Sequence, residues 1–487
     1  MKRPVYLLIL LAFLLRIGLG ISAAQLLPAI GYESKSQQAG YLFFDAYRRD
    51  SQAWELAESE KPLTRAFDGK YSSDQYGGLL WISAFLYRTL SAGTHQPMLV
   101  VTLAALVGAC GVWFVFMAAR RVAAQIGMDM PASERSALVA ALIFAFFPEA
   151  ILLGASQMRE PFLMTFVAMA FYGITEWQET HKKQNWAWIF LALAGMLLIS
   201  PGIVVITLLG LTGWLYFSTS NSRVRIPWQV LVATLIALIL AVVILTASWD
   251  SLVQVKGSGF LGIIGSWARG TTRWNAYLLE RSSGIVQVLF KSLPPVLAFP
   301  FVAMYGILQP VLPAVLLEPG IVFWQILGIM RALGWFLALP LVAFAPIANG
   351  IMLFDDKIAK QARKPASATG GLLWLSLVVW SWIVVAALRG GGDQWDNPRY
   401  RVILLAWIAI LISISLGQIH SRAQRWFWRI CSVNLIILLV FGHWYTWRYI
   451  GIGFNLGIRN TLVIAITLSI LVVLGDWLWC KLNKRSE

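Results

Sequence analysis

Three short stretches of this chain gather ionisable side chains in patterns that could do chemistry. The first, FFDAYRRDSQAWELAESE (43–60), holds Asp45 and Asp50. From Asp50, Trp54 and Ala57 recur at helical spacing, so Asp50 is expected to begin a short amphipathic helix as its N-cap. Such a carboxylate could do no more than cap. Held by backbone donors at a surface, it could also take a proton from an acceptor hydroxyl. Just downstream, Tyr76-Gly77-Gly78 opens the apolar run LLWISAFLYRTL. The second stretch, FFPEAILLGASQMREPFLMTF (146–166), sets Arg159 and Glu160 before Pro161. Proline suits the first turn of a helix, and a carboxylate there complements the positive end of the helix dipole. The third, RGGGDQWDNPRYRVILLAW (389–407), places Arg399-Tyr400-Arg401 where a long apolar run begins. Two guanidinium groups there are good phosphate partners; for Arg401 alone, contact with lipid headgroups is the plainer role. Arg16 and Arg331 lie deeper, inside apolar runs. Each should pair with a carboxylate or face a polar interior, and Arg331 is also a candidate substrate contact.

The elements that must position these residues are set by composition. The 487 residues are 59% hydrophobic and only 13% charged, against about 25% charged in a soluble domain. Most of the chain therefore has no water-facing surface. The 24 Trp suit two membrane interfaces, where amphipathic rings collect. The net charge of +16 reads as topology and attraction to anionic lipid rather than nucleic-acid binding. Cys110, Cys431 and Cys480 lie in separate apolar runs, and His95, His181, His420 and His443 are far apart. Neither set has disulfide or metal-ligand spacing.

A spanning helix needs roughly 20 mostly apolar residues. Twelve stretches qualify, at about 5–27, 97–119, 136–156, 161–178, 187–200, 202–218, 228–248, 321–347, 368–388, 402–418, 427–446 and 459–480. Ser200-Pro201-Gly202 divides one long run into two short crossings. The first helix reads as retained rather than cleaved, because no small-residue cleavage site follows it. Every second short connection is basic, which puts both termini in the cytoplasm. The opposite side then receives a long loop at 28–96 with short amphipathic helices, the turn from Gln157 to Pro161, a segment at 249–320, and the loop 389–401. Within that segment, 292–320 carries six prolines and is expected to be interfacial or re-entrant backbone. The expected fold is an all-α, polytopic membrane protein forming a single integral membrane domain (1–487).

Taken together, these stretches resemble the GT-C-type glycosyltransferases that use lipid-phosphate sugars. The LLRIGL core of the first helix is similar to their opening Leu-Arg-Leu signature. Asp50 with Trp54 and Leu56-Ala57 looks like their Asp-x-x-x-aromatic-x-x-Ala element, with Asp45 competing for the acidic position. Tyr76-Gly77-Gly78 resembles a Tyr-Gly-Pro step, Pro148 followed by Glu160 a second acidic motif, and Arg399-Tyr400 an Arg-Tyr element. Trp54 stands where tyrosine is usual, and Gly78 where proline is. The order and common sidedness of these elements are nearest to the protein O-mannosyltransferase and aminoarabinose-transferase branch. The resemblance implies inverting transfer of a sugar from a polyprenyl-phosphate donor to a glycan, lipid or protein acceptor at the extracytoplasmic face of the cell (inner) membrane. It implies Asp50 as general base, Glu160 as its helper, and Arg399 with Arg159 or Arg401 on the phosphate. The acidic motifs of metal-dependent branches are not found, so neither a catalytic metal nor another cofactor is expected. The rival classes are a lipid-linked glycan flippase or transporter, and a glycan polymerase or ligase. Asp50 and Glu160 converging on one luminal cavity would favour transfer, and carboxylates pointing into separate helix interfaces the transporter or a structural role.

Reporter fusions test the topology. Those after Arg121, Lys183, Arg225, Lys364 and Arg425 should report cytoplasm, and those near Lys70 and Gln394 the opposite side. Finding Lys70 and Gln394 on different sides would end any single-site scheme.

Overall fold

In a bilayer, backbone N–H and C=O groups have no water to bond, so long apolar runs must form helices. The computed structural model describes residues 2–71, 76–218, 295–317, 320–354, 367–419 and 423–483, and all of their regular structure is helical. Among these residues, eight helices are long and apolar enough to cross a membrane, or nine if one bent pair counts as a single span. The chain is a multi-pass helical membrane protein.

The order of the principal helices begins with α1 (Lys2–Ile30), α2 (Phe44–Glu58), α3 (Gly78–Leu90), α4 (Met98–Gln125), α5 (Met130–Phe146), α6 (Pro148–Gly154), α7 (Glu160–Thr180), α8 (Trp186–Ile199) and α9 (Pro201–Ser218). It continues with α10 (Pro295–Leu308), α11 (Leu312–Leu317), α12 (Val322–Phe354), α13 (Ser367–Gly390), α14 (Asp396–Arg401), α15 (Leu405–Gln418), α16 (Gln424–Ile450) and α17 (Gly457–Asn483). Helix α4 packs between α1, α5 and α7, while α12 and α13 close the other side against α15, α9 and α10. At the centre, Trp407 of α15 is buried against Phe171 of α7. Its indole lies so close to Gly210 of α9 that a β-carbon there would collide with it.

Of the twelve expected crossings, 228–248 lies outside the described residues. The other eleven are helical, and the break at Ser200-Pro201 falls between α8 and α9 as expected. Two of the eleven are not spans by length and hydropathy. Helix α8 has only 14 residues. Helix α7 has 21 but ends in Thr175, Glu176, Gln178 and Glu179: Arg121 pairs with Glu176 and with the exposed Glu179, and Gln178 donates to Ser218. The expectation for 136–156 also changes, because α5 and α6 meet at a 50° bend. Pro148 cannot continue the hydrogen-bond ladder, so it starts a new helix. The described part of 292–320 holds α10 and α11 on either side of Gln309-Pro310-Val311.

The start of α2 corrects a local expectation. Leu42 and Phe43 are buried, and Phe43 serves as the N-cap residue, so the helix begins before Asp45. Asp45 occupies the first turn and Asp50 the interior, where it caps nothing.

Arg16 explains how a guanidinium survives in the middle of α1. The bend at Pro148 leaves the last carbonyls of α5 without helical partners. Arg16 Nη1 donates to Ala145 O at 3.1 Å and to Ala12 O at 2.9 Å, and Nη2 donates to Phe144 O at 3.4 Å. Gly154 makes room for this side chain; a β-carbon there would lie 2.6 Å from Arg16 Cδ. Gly154→Ala should therefore destabilise the protein by about 1–3 kcal/mol, the usual cost of overpacking, seen as a lowered Tm in lipid nanodiscs. An unchanged Tm would mean that Arg16 has somewhere else to go.

Candidate functional site

The charged residues converge on one guanidinium. Arg399 lies in α14, a short helix that begins where Asp393 Oδ1 accepts from the backbone N–H groups of Trp395 (2.6 Å) and Asp396 (2.7 Å). Pro398 fits this helix because the first turn has no need of its missing N–H. From there Arg399 Nη1 donates to Asp45 Oδ2 at 2.9 Å, across 354 residues of sequence. Its Nε lies 3.1 Å from Glu160 Oε1, and Nη1 lies 3.4 Å from Asp396 Oδ1. Three carboxylates thus share one guanidinium. Glu160 is 2% exposed, and its second oxygen, Oε2, is buried without a hydrogen bond. The Asp45 side chain is 47% exposed. One carboxylate is therefore inside the protein and one at its surface, joined through Arg399.

Asp50 is not part of this group. It is 0% exposed and lies on a different face of α2 from Asp45. Tyr41 donates to its Oδ2 at 2.5 Å, Tyr87 of α3 donates to its Oδ1, and His95 Nε2 lies 2.6 Å from Oδ2. Trp54 stacks on the His95 ring at 5.0 Å. The hydrogen bond to Asp50 raises the pKa of His95 above its ordinary value, and burial with the Asp50 charge raises that of Tyr41. His95 therefore contributes its stabilisation in full below its unfolded pKa, and loses it as pH rises through the raised value. Neither oxygen of Asp50 is exposed, and it is Asp45 rather than Asp50 that lies with Glu160 on Arg399.

The remaining expected residues divide in two. Tyr400 stays at the cluster: its hydroxyl is 3.3 Å from Arg399 Nη2, and its ring lies beneath the guanidinium groups of both Arg399 (5.0 Å) and Arg389 (4.9 Å). Arg159 lies over the Tyr76 ring at 5.8 Å, next to Glu160 in sequence. Arg401 and Arg331 are instead built into the scaffold. Arg401 is buried against the Trp335 ring at 3.4 Å and donates to Ile307 O and Gln309 O at 3.2 and 3.0 Å. Arg331 binds both oxygens of buried Glu149, at 2.6 and 3.0 Å, and donates to Gln394 O at 2.9 Å. Its expected pairing with a carboxylate is met, by a residue that sequence reasoning passed over in favour of Glu160.

The Glu149–Arg331 pair also explains how the two sides of the site keep register. The Arg331 guanidinium lies 4.3 Å from the ring centre of Trp395. That ring meets Phe43 edge-on at 6.0 Å and Trp324 at 5.2 Å. Phe43 precedes the helix bearing Asp45, and Trp395 precedes the helix bearing Arg399, so one indole links both starts. Asp396, Glu149, Arg389 and Trp395 all carried some signal in the sequence. The Gly390–Gly392 loop ends in two aspartates, and Glu149 follows Pro148 as Glu160 precedes Pro161. Among the described residues, no three His, Cys, Asp or Glu side chains are arranged to hold a metal ion.

No protein-family profile and no curated protein matches the chain. Among solved structures it is similar to the archaeal oligosaccharyltransferase AglB from Archaeoglobus fulgidus, in complex with an inhibitory peptide and a dolichol-phosphate. The TM-score is 0.43 at 12% identity, covering 96% of this chain and 56% of that one. The chain thus spans little more than half the length of that protein. At this score the likeness carries no argument, and the functional reading rests on the site itself.

Removing one partner of a buried ion pair typically costs about 3–5 kcal/mol, whereas replacing both by apolar residues is often close to neutral. Arg331→Met should therefore lower stability sharply, and Arg331→Met with Glu149→Leu should recover most of the loss, measured by thermal unfolding. A double variant as unstable as the single one would show that the pair is not the unit that matters.

Proposed function

We propose that this chain is a membrane glycosyltransferase that moves a sugar from a polyprenyl-phosphate carrier to an acceptor at the extracytoplasmic face, with inversion at the anomeric carbon. The observation that carries the reading is the meeting of Asp45 and Glu160, from separate parts of the chain, on Arg399. Carboxylates in unrelated helix interfaces would have suited a flippase or transporter; a shared cluster, open through Asp45, suits proton transfer.

In this reading Asp45 is the general base. It has the exposure an acceptor needs, and Arg399 fixes its direction. As the acceptor oxygen or nitrogen bonds to the anomeric carbon, its proton passes to Asp45. The bond from that carbon to the carrier's phosphate oxygen breaks, and the phosphate leaves with the electron pair. Glu160 holds Arg399 from the buried side and orients the acceptor. The charge growing on the phosphate calls for guanidinium groups already in place. An apolar cavity of about 400 Å³ between α10, α12, α16 and α17, lined by Tyr305, Leu308, Phe336 and Trp444 among others, supports a substrate with a hydrocarbon tail. Helix α10 connects this cavity to α14: Leu308 faces the cavity, while the Ile307 carbonyl accepts from Arg401.

Asp45→Asn keeps size and removes the proton acceptor, so transfer from a labelled polyprenyl-phosphate sugar should fall about 10²–10⁴-fold at normal protein level. Asp50→Asn should instead reduce the yield of folded protein, with near-normal transfer per folded molecule. Full transfer by Asp45→Asn would refute the base assignment, and with it the reason for reading this cluster as an active site.

A further inference from the structure

The reading above needs a cation for the phosphate, and the arginines first considered are largely committed. Arg399 directs Nη1 and Nε to carboxylates. Arg401 and Arg331 are buried, on carbonyls and on Glu149. Arg389 differs from all three. It lies in the last turn of α13, half-buried, and among the described residues no carboxylate comes within ion-pair distance of it. Its guanidinium carbon lies 4.9 Å from the centre of the Tyr400 ring, the same ring that Arg399 covers at 5.0 Å.

A cation at a helix C-terminus is favourable on its own account. That does not explain why this guanidinium lies over Tyr400 beside the cluster. Stacking a guanidinium on an aromatic face engages its π-surface and leaves its in-plane N–H donors available. Those donors form the planar fork that binds two phosphate oxygens at once. Tyr400 itself is fixed: its carbonyl accepts from Trp382 Nε1 at 2.9 Å, and its hydroxyl meets Arg399. The ring thus holds one guanidinium that faces carboxylates and a second with no acidic partner among the described residues.

We propose that Arg389, oriented by Tyr400, is the binding site for the phosphate of a membrane-anchored lipid, which in the transfer reaction is the carrier phosphate of the donor. This rests on the lipid-phosphate donor of the preceding reading. The arrangement separates the charges of the reaction: the phosphate at Arg389, the acceptor at Asp45, and Arg399 between them.

The same chemistry is presented by the carrier lipid and by ordinary anionic phospholipid, and a binding experiment distinguishes them. Purified protein in nanodiscs of zwitterionic lipid is titrated with polyprenyl phosphate carrying no sugar, with and without anionic phospholipid in the disc. Wild type and Asp45→Asn, which cannot transfer but keeps Arg389, should bind alike. Arg389→Gln should weaken binding ten-fold or more, and Arg389→Lys should fall between, since it keeps charge but loses the fork. Resistance of wild-type binding to anionic phospholipid assigns the site to the carrier. Displacement by anionic phospholipid, with the Arg389→Gln loss intact, supports the phosphate site and makes the headgroup its ligand. Equal binding by wild type and Arg389→Gln overturns the role of Arg389 while leaving the donor class standing. No binding by wild type overturns both, and a normal Tm for Arg389→Gln excludes misfolding as the cause of its loss.

Discussion

A guanidinium has donors on three nitrogens in one plane, and Arg399 uses that plane to bring together carboxylates from distant parts of the sequence. Asp45 arrives from the start of α2, Glu160 from the start of α7, and Asp396 from its own turn. Two of these carboxylates would be costly so close to each other without a cation between them. With Arg399 in place they can coexist, one buried and one open. Contacts to Asp45 and Glu160 therefore tie α14 to the starts of α2 and α7.

Keeping α14 there is the work of a second, drier layer. Glu149 and Arg331 satisfy each other inside the protein, and the spare donor of Arg331 takes the Gln394 carbonyl. Trp395 stacks on that guanidinium and touches Phe43 at the entry to α2. Buried charge is tolerated here because each partner's oxygens or donors are occupied. The glycines at 390–392 would otherwise allow the loop many conformations. The pair thus converts a permissive segment into one with a definite direction.

The Asp50 group shows the same physics turned to a different end. A buried carboxylate with two tyrosines and a histidine around it is satisfied rather than poised. It ties the middle of α2 to α3 and to the loop at His95, and so holds steady the helix from which Asp45 projects. Asp45 and Asp50 are five residues apart on one helix, yet one is open at the surface and the other is enclosed by the protein.

Much of this was legible in the chain itself. Apolar length dictated the helices, since a bilayer offers the backbone no other partners. Pro201 marked a break that the structure contains, whereas the bend at Pro148 came only with the structure. The need of Arg16 and Arg331 for polar company followed from the cost of an unpaired cation at that depth. The motif order likewise pointed to Glu160 and Arg399. The choice between Asp45 and Asp50 was not legible, because both lie at plausible spacing and differ only in what faces them. Tyr41, Tyr87 and His95 close over Asp50 from elsewhere in the chain, while Arg399 reaches Asp45 across 354 residues. Sequence spacing determines which side chains share a helix; which of them stays open is decided by the distant groups that fold onto each face, because desolvation and hydrogen bonding act through space rather than along the chain.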